Sequence, residues 1–324
     1  MKRFWNRPYA FGLVYGLVLA LFAVFVLLDT FVIPKGYGAA EGEILPPVTD
    51  VEETESASED KTEDFTDVGA TDGVDPTLFP EEPEIGEDYY RDRNISVFLV
   101  KTRQWNTDIY VAEVQIRSPE YLKTALAEDT YGRNIKEKTS EIAERVGAIL
   151  AINGDYYGFR DSGYVIRNGT LYRDKKLSSS REDLVIDGDG NMYGVREGAV
   201  TARALWNQGA RQVLSFGPVL YSDSAVQVTA GDEIGKWKSN PRAAIGMIEP
   251  LHYVFVVSDG RTERSAGLSL VQLAQFMGDW GCTFAYNLDG GGSATMVFQG
   301  KVINKPTDGS SFGERRVSDV VYIG

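Results

Sequence analysis

The chain of 324 residues contains one cysteine, Cys282, and one histidine, His252. A single cysteine excludes an internal disulfide framework and any cysteine-rich zinc site, and a single histidine excludes the paired-histidine zinc arrangements. Cysteine–histidine nucleophilic catalysis would have to use these two alone. Both sit in apolar stretches, GCTFAY and LHYVFVV, and read as packed residues. Chemistry here must rest on Asp, Glu, Arg, Asn, Ser, Thr and Tyr. Excess positive charge is also missing, since the formal net charge is −14. That deficit is local: residues 41–88 hold eighteen acidic residues and one lysine, and the chain from Tyr89 onward is neutral overall. No nucleic-acid partner is expected of such a chain.

What is present divides into four parts. Residues 1–8 are a short basic end, with Lys2, Arg3 and Arg7. Residues 9–33 contain the uncharged run YAFGLVYGLVLALFAVFVLL, which matches the length a helix needs to cross a bilayer. The flanking positive charge places the N-terminus in the cytoplasm, the rest outside, and the protein as single-pass in the plasma membrane. GYGAA at 36–40 offers small residues for signal cleavage, but the apolar run is longer than a signal core, so an uncleaved signal-anchor is expected. Residues 34–88 are acidic, nearly free of aromatics and read as a disordered, extended linker.

Residues 89–324 form the folded domain. Its β-type runs include ISVFLVKT, DIYVAEVQI, GAILAING and HYVFVVSDG, with hairpin signals at Asn168-Gly169 and Gly188-Asp189-Gly190. Helices are few. Ser118-Pro119-Glu120 is expected to start one running toward Ala127, Ser140 a short one ended by Gly147, and Ser269 with Gln272 a capped one closed by Gly281. The expected fold class is α+β, with a mixed, mainly antiparallel sheet.

Polar groups collect where apolar strands end. GAILAI delivers Asn153, Gly154 and Asp155; SNPRAAIG sets Asn240 in a turn and brings Arg242 into an apolar strand; HYVFVVS ends in Asp259-Gly260-Arg261. A cation beside a buried run must be paired or aimed at an anion, so Arg242 is either a salt bridge or a ligand contact. FAYN empties into Asp289, Gly290, Gly291, Gly292 and Ser293, followed by Thr295. Three glycines in a row surrender backbone entropy, for which a tight loop is the plain explanation and a backbone lying against a ligand the sharper one. Successive N–H groups there would make an anion nest. Either Arg315 or Arg316 precedes the last strand. Familiar templates fail: GGGSAT lacks the P-loop ending, GGSAT lacks the second glycine of a nucleophile elbow, and DGDGN at 187–191 has Met192 where a calcium loop needs glycine.

In this order, AINGDYY, NPRAAIG, VSDGR with SLVQLAQFM, NLDGGGSATM and the terminal arginine-valine strand resemble the phosphodiester glycosidase family. The resemblance implies hydrolysis of a sugar-1-phosphodiester, with N-acetylglucosamine-1-phosphodiester as one such substrate, in an envelope or extracellular polysaccharide. It implies catalysis by Asp289 and Asp155 in exchangeable roles, with Asn153 and Gly154 at the sugar. It places the phosphate against Gly290, Gly291, Gly292, Ser293, Thr295 and Arg242, with Asn240, Asp259, Arg261 and Arg316 as further contacts. Asp155 departs from the small residue usual in the family at that position, which leaves a substrate contact open beside catalysis. No cofactor is established and the metal set is unassigned, although the aspartates are compatible with a divalent cation. A metal-dependent phosphodiesterase cutting P–O, and a polysaccharide-binding or assembly protein without turnover, are the alternatives.

Overall fold

The computed structural model describes residues 10–39, 78–228, 238–309 and 311–324. The basic end and residues 40–77 of the expected linker lie outside the described residues. The apolar run forms the helix Ala10–Phe31, long and apolar enough to cross a membrane. From Gly12 on, most of its side chains, Leu17 and Phe22 among them, are exposed.

Three antiparallel sheets build the domain. The largest has nine strands in the order Ala225–Val226, Val219–Ser222, Phe284–Asn287, Arg242–Glu249, His252–Ser258, Thr107–Ile116, Ile95–Gln104, Tyr89–Arg91 and Glu84–Ile85. Alternation along a strand gives it two apolar faces. Val254 and Val256 point to one face, which is covered by Leu273, Phe276 and Met277 of the helix Leu270–Asp279. Tyr253, Phe255 and Val257 point to the other face and form the central core with residues of the two five-stranded sheets. One of these runs Lys301–Val302, Met296–Phe298, Leu150–Asn153, Asp319–Ile323 and Leu122–Leu126. The other contains Val165–Arg167, Gln212–Leu214 and Glu182–Ile186.

Local chemistry explains several elements. Asn168 (φ 48°) and Gly169 (φ 76°) turn the hairpin between Val165–Arg167 and Thr170–Arg173, because both central positions need a left-handed backbone. Around 187–191 the Asp187 carboxylate accepts from the N–H groups of Asp189 and Asn191 (3.0 and 2.9 Å), an Asp-anchored turn. The Ser269 hydroxyl accepts from the Gln272 N–H (3.2 Å) and the Gln272 side chain accepts from the Ser269 N–H (2.9 Å), the reciprocal cap expected there.

Three expectations change. The helix expected after Ser118 is a single 3₁₀ turn, Pro119–Tyr121, followed by the strand Leu122–Leu126. Pairing along the whole of Asp319–Ile323 outweighs the local helix-start signal. The folded part begins before residue 89, since Phe79 is buried and Glu84–Ile85 pairs with Tyr89–Arg91. The start of the expected linker is also structured: Lys35–Gly36 pairs antiparallel with Gly132–Arg133.

Candidate active site

Antiparallel pairing aligns the start of Arg242–Glu249 with the end of His252–Ser258 on one side and the end of Phe284–Asn287 on the other, through Arg242↔Ser258 and Ala244↔Asn287. The loop after Asn287 then crosses to the neighbouring sheet. The Leu288 N–H donates to the Ala243 carbonyl (2.9 Å), that of Asp289 to Gly154 (3.3 Å), and that of Gly291 to Pro241 (2.8 Å). Sequence motifs 130 residues apart therefore share one hydrogen-bonded junction.

Asn153 and Gly154 make that junction and do not face solvent. Asn153 is fully buried: its amide donates to the Asp289 carbonyl (2.6 Å) and its oxygen accepts from the Thr295 N–H (3.3 Å). Gly154 lies against Asp319, where a Cβ would come within 2.4 Å of the carboxylate. Asp155 is sealed as well. Its oxygens accept from the N–H groups of Tyr157 (2.7 Å) and Ser215 (2.9 Å), and Oδ2 lies 3.0 Å from Nη2 of Arg167. Arg167 also holds Asp319 at 2.8 Å. Burial pushes the Asp155 carboxyl up, but Arg167, Arg160 and the two N–H donors outweigh it and hold the group below the usual carboxylate range. For Asp319, burial prevails over Arg167 and the carboxyl is raised.

Asp289 is only half-buried. Burial raises its carboxyl, opposed by the Ser293 hydroxyl, the charge of Arg315 and the Gly290 N–H, which donates to Oδ1 at 2.9 Å. A carboxyl held above its ordinary range beside cations is a candidate acid, base or nucleophile.

The glycines next to it lie against neighbouring parts of the chain. Three N–H groups of the expected anion nest are engaged by the chain itself: Gly290 on Asp289, Gly291 on the Pro241 carbonyl, and Ser293 on the Gly290 carbonyl (3.3 Å). What the missing side chains permit is close approach by neighbours. A Cβ on Gly290 would meet the Pro241 carbonyl at 2.8 Å, with Arg242 Cδ at 3.8 Å. On Gly291, at φ 64°, it would meet Arg261 Nη2 at 2.8 Å; on Gly292 it would meet Asp308 at 2.6 Å and Arg315 at 3.0 Å. The loop is a floor on which three arginines converge.

Each arginine is steered by its surroundings. Arg242 donates from Nε to the Leu268 carbonyl (3.0 Å) and from Nη2 to that of Lys238 (3.1 Å); burial, and then repulsion from Arg261, bring its guanidinium down to about 10. Arg261 reaches Asn240 Oδ1 (3.3 Å) and the Thr307 carbonyl (3.5 Å). Arg315 pairs with Asp308 (2.6 Å) and feels the charge of Asp289, with Tyr156 nearby. Arg316, the expected contact, is instead exposed on the strand Arg316–Val317 beside Lys138. Arg315 precedes that strand, and its N–H donates to the Gly292 carbonyl (3.1 Å), which holds it against the glycine loop.

Asp259 and Thr295 serve the scaffold. Buried Asp259 accepts from the Lys305 N–H (2.7 Å), the Asn304 amide (3.5 Å) and the Tyr110 hydroxyl (3.3 Å), while Asn304 holds the Ala294 carbonyl (3.0 Å) and the Met296 N–H (2.9 Å). Thr295 is buried behind the loop. Sequence reading passed over Arg167, Asp308, Asp319 and Tyr156. Arg167 carried a usable signal, a cation inside the apolar strand YVIRNG, the same argument that singled out Arg242. Among the described residues no group of three or more His, Cys, Asp or Glu side chains is arranged to hold a metal ion.

The family model for phosphodiester glycosidases matches residues 146–324, which include every element of this junction. The chain belongs to the phosphodiester glycosidase family. Among curated proteins, it is 34% identical over 204 residues to the SPbeta prophage-derived uncharacterized protein YomE of Bacillus subtilis, covering 60% of this chain and 30% of that protein. It is 39% identical over 67 residues to N-acetylglucosamine-1-phosphodiester alpha-N-acetylglucosaminidase of Mus musculus, covering 21% of this chain and 13% of the enzyme. The matches thus span less than a third of either relative. Among solved structures, the catalytic domain of the zebrafish enzyme, auto-inhibited by its pro-peptide, shares the fold with a TM-score of 0.57 at 20% identity, over 71% of this chain and 82% of that one. A hypothetical protein from Synechocystis aligns with a TM-score of 0.53 at 15% identity, over 72% of this chain and 62% of that one.

Proposed function

We propose that this chain hydrolyses a sugar-1-phosphodiester at the anomeric C–O bond, releasing the sugar and leaving a phosphomonoester. One observation carries the reading: half-buried Asp289, its carboxyl raised, stands at the edge of a glycine floor against which Arg242, Arg261 and Arg315 are packed. Guanidiniums suit a phosphodiester in the ground state and the added charge of the departing phosphomonoester in the transition state. A phosphate leaves as a weak base, so the second, acid carboxyl of ordinary glycosidases is dispensable. Asp289 acts at the anomeric carbon and the Ser293 hydroxyl orients it. Asp155 leaves the catalytic pair in this reading, because its oxygens are committed to Arg167 and two N–H groups. Asn153 and Gly154 position Asp289 through its backbone, and Arg315 takes the place given to Arg316.

N-acetylglucosamine-1-phosphodiester is the first substrate to try, given the activity for which the mouse relative is named. The apolar helix acts as a signal-anchor, which puts the domain outside the cytoplasm and an envelope or extracellular polysaccharide within its reach. The test is hydrolysis of such a diester by the full chain in heavy-oxygen water. Label in the free sugar is expected; label in the phosphate would establish P–O cleavage and overturn the reading. The anomer released then assigns Asp289: inversion makes it the base for water, retention the nucleophile.

A further inference from the structure

The apolar helix does not end free of the domain. Its last carbonyls lack intrahelical partners, as at every helix C-terminus. Domain side chains supply donors: the Asn134 amide donates to the carbonyls of Thr30 and Ile33 (3.1 Å each), and Arg133 Nη2 to Thr30 (3.4 Å). The chain then pairs as a strand, Lys35 opposite Arg133 and Gly36 opposite Gly132, and the Tyr37 N–H donates to the Tyr131 carbonyl (2.7 Å). Gly132 is required by that approach, since a Cβ there would lie 2.0 Å from the Lys35 carbonyl oxygen.

Between this returning strand and the domain is a cavity of about 200 Å³, lined by Tyr37, Tyr131, Arg133, Arg160, Asp161 and Arg173. Three arginines and one aspartate line it, and Lys175 stands 4.0 Å from that aspartate; Arg160 and Arg173 donate to the Ser215 (2.5 Å) and Gly163 (2.6 Å) carbonyls, while Arg173 Nη2 is buried without a hydrogen-bond partner. An excess of guanidinium in a concave site calls for an anion. The location selects the source. Tyr37 is six residues beyond Phe31, so it lies at most about 21 Å from the end of the apolar helix along the chain. A cavity fixed there sits beside the headgroup layer, where anionic lipid is concentrated by the anchor itself.

We propose that this cavity binds the phosphate of an anionic membrane lipid, seating the domain on the bilayer. The inference rests on the helix spanning a membrane and is independent of the reaction catalysed. Its consequence for the reaction is geometric: the segment that carries Arg160 also carries Tyr156, which lies near Arg315, so the candidate active site is one short loop from the membrane surface and favours membrane-attached diesters.

The test uses the full chain in nanodiscs of phosphatidylcholine, with or without phosphatidylglycerol, carrying an Asp161→Cys label. Cys282 is buried, so the label is selective. Quenching by spin-labelled headgroups is expected to be stronger with phosphatidylglycerol. Arg133→Gln should weaken that response about fivefold, the share of one basic side chain near an anionic surface, and Arg133→Lys should restore most of it. Equal quenching in both lipid mixtures, or an unchanged response in Arg133→Gln, overturns the proposal. Full displacement by inorganic phosphate overturns it in favour of a free-phosphate site. Activity is not read in this experiment, so its failure leaves the hydrolase reading standing.

Discussion

Around Asp289 three arginines press on a glycine loop at the surface, while across the same backbone junction Asp155, Arg167 and Asp319 form an ion triad whose side chains are at most 2% exposed. The residue types are nearly the same, and the difference is what already satisfies them. In the sealed triad one guanidinium and fixed N–H donors hold Asp155 as the carboxylate, while burial raises the second carboxyl, Asp319, toward its neutral form. At the surface the carboxyl is raised, and Arg242, Arg261 and Arg315 converge beside it, with Arg315 paired to Asp308. Full burial around a shared cation builds scaffold, and partial burial of a raised carboxyl beside converging guanidiniums builds a site. The two are joined by Gly154, which accepts from the Asp289 N–H and donates to the Asp319 carbonyl (2.9 Å).

Breaking this contrast should separate activity from stability. Asp289→Asn is expected to cut kcat/KM by about 10⁴-fold, the scale of losing a catalytic carboxylate, with an unchanged thermal midpoint. Residual activity close to wild type would remove Asp289 from the chemistry. Arg167→Met should do the reverse. It leaves two buried carboxylates without their cation, which costs roughly 3 to 5 kcal/mol of folding stability. Urea denaturation measures it, and a variant as stable as wild type would mean the triad contributes nothing to the scaffold.

How far the sequence revealed this contrast depended on distance along the chain. Hairpins and the capped helix were legible because their signals are local: Asn168-Gly169 and the Ser269–Gln272 pair need only their neighbours. The strand Leu122–Leu126 was not, since it exists through pairing with residues 319–323. The site segments were legible as strand ends rich in polar groups, but burial was not. Nothing local to Asp155 says that Arg167 and Ser215 will close over it, and nothing local to the three glycines says that arginines from three other loops will occupy the space their side chains leave. The choice between Arg315 and Arg316 turned on a long-range contact, the Arg315 N–H on the Gly292 carbonyl just before the strand Arg316–Val317 begins.

A smaller effect on the open side is expected from Arg315→Gln, roughly a hundredfold loss in kcat, as for removal of one preorganised transition-state donor. Arg316→Gln should leave kcat unchanged. Equal losses in the two variants would return Arg316 to the site.

The smallest effect lies deepest in the sealed region. Asp183 is fully buried and neither oxygen has a hydrogen-bond partner, because the Ser215 hydroxyl beside it donates to the Tyr164 carbonyl (3.0 Å). Burial, and then the nearby charge of Glu197, push its carboxyl up to about 8. The sign of the linkage follows: with the folded value raised, the stabilising contribution is complete below the ordinary carboxylate range and is lost as pH rises through about 8. Asp183→Asn keeps a neutral side chain at every pH. Near pH 5 it should lie close to wild type, and near pH 9 it should be the more stable of the two. Chemical denaturation at both values checks the difference. A gain of equal size at both, or a loss at the higher one, would mean that the buried carboxyl is charged and paired in the folded chain, and that the sealed region holds its acids in the same way throughout.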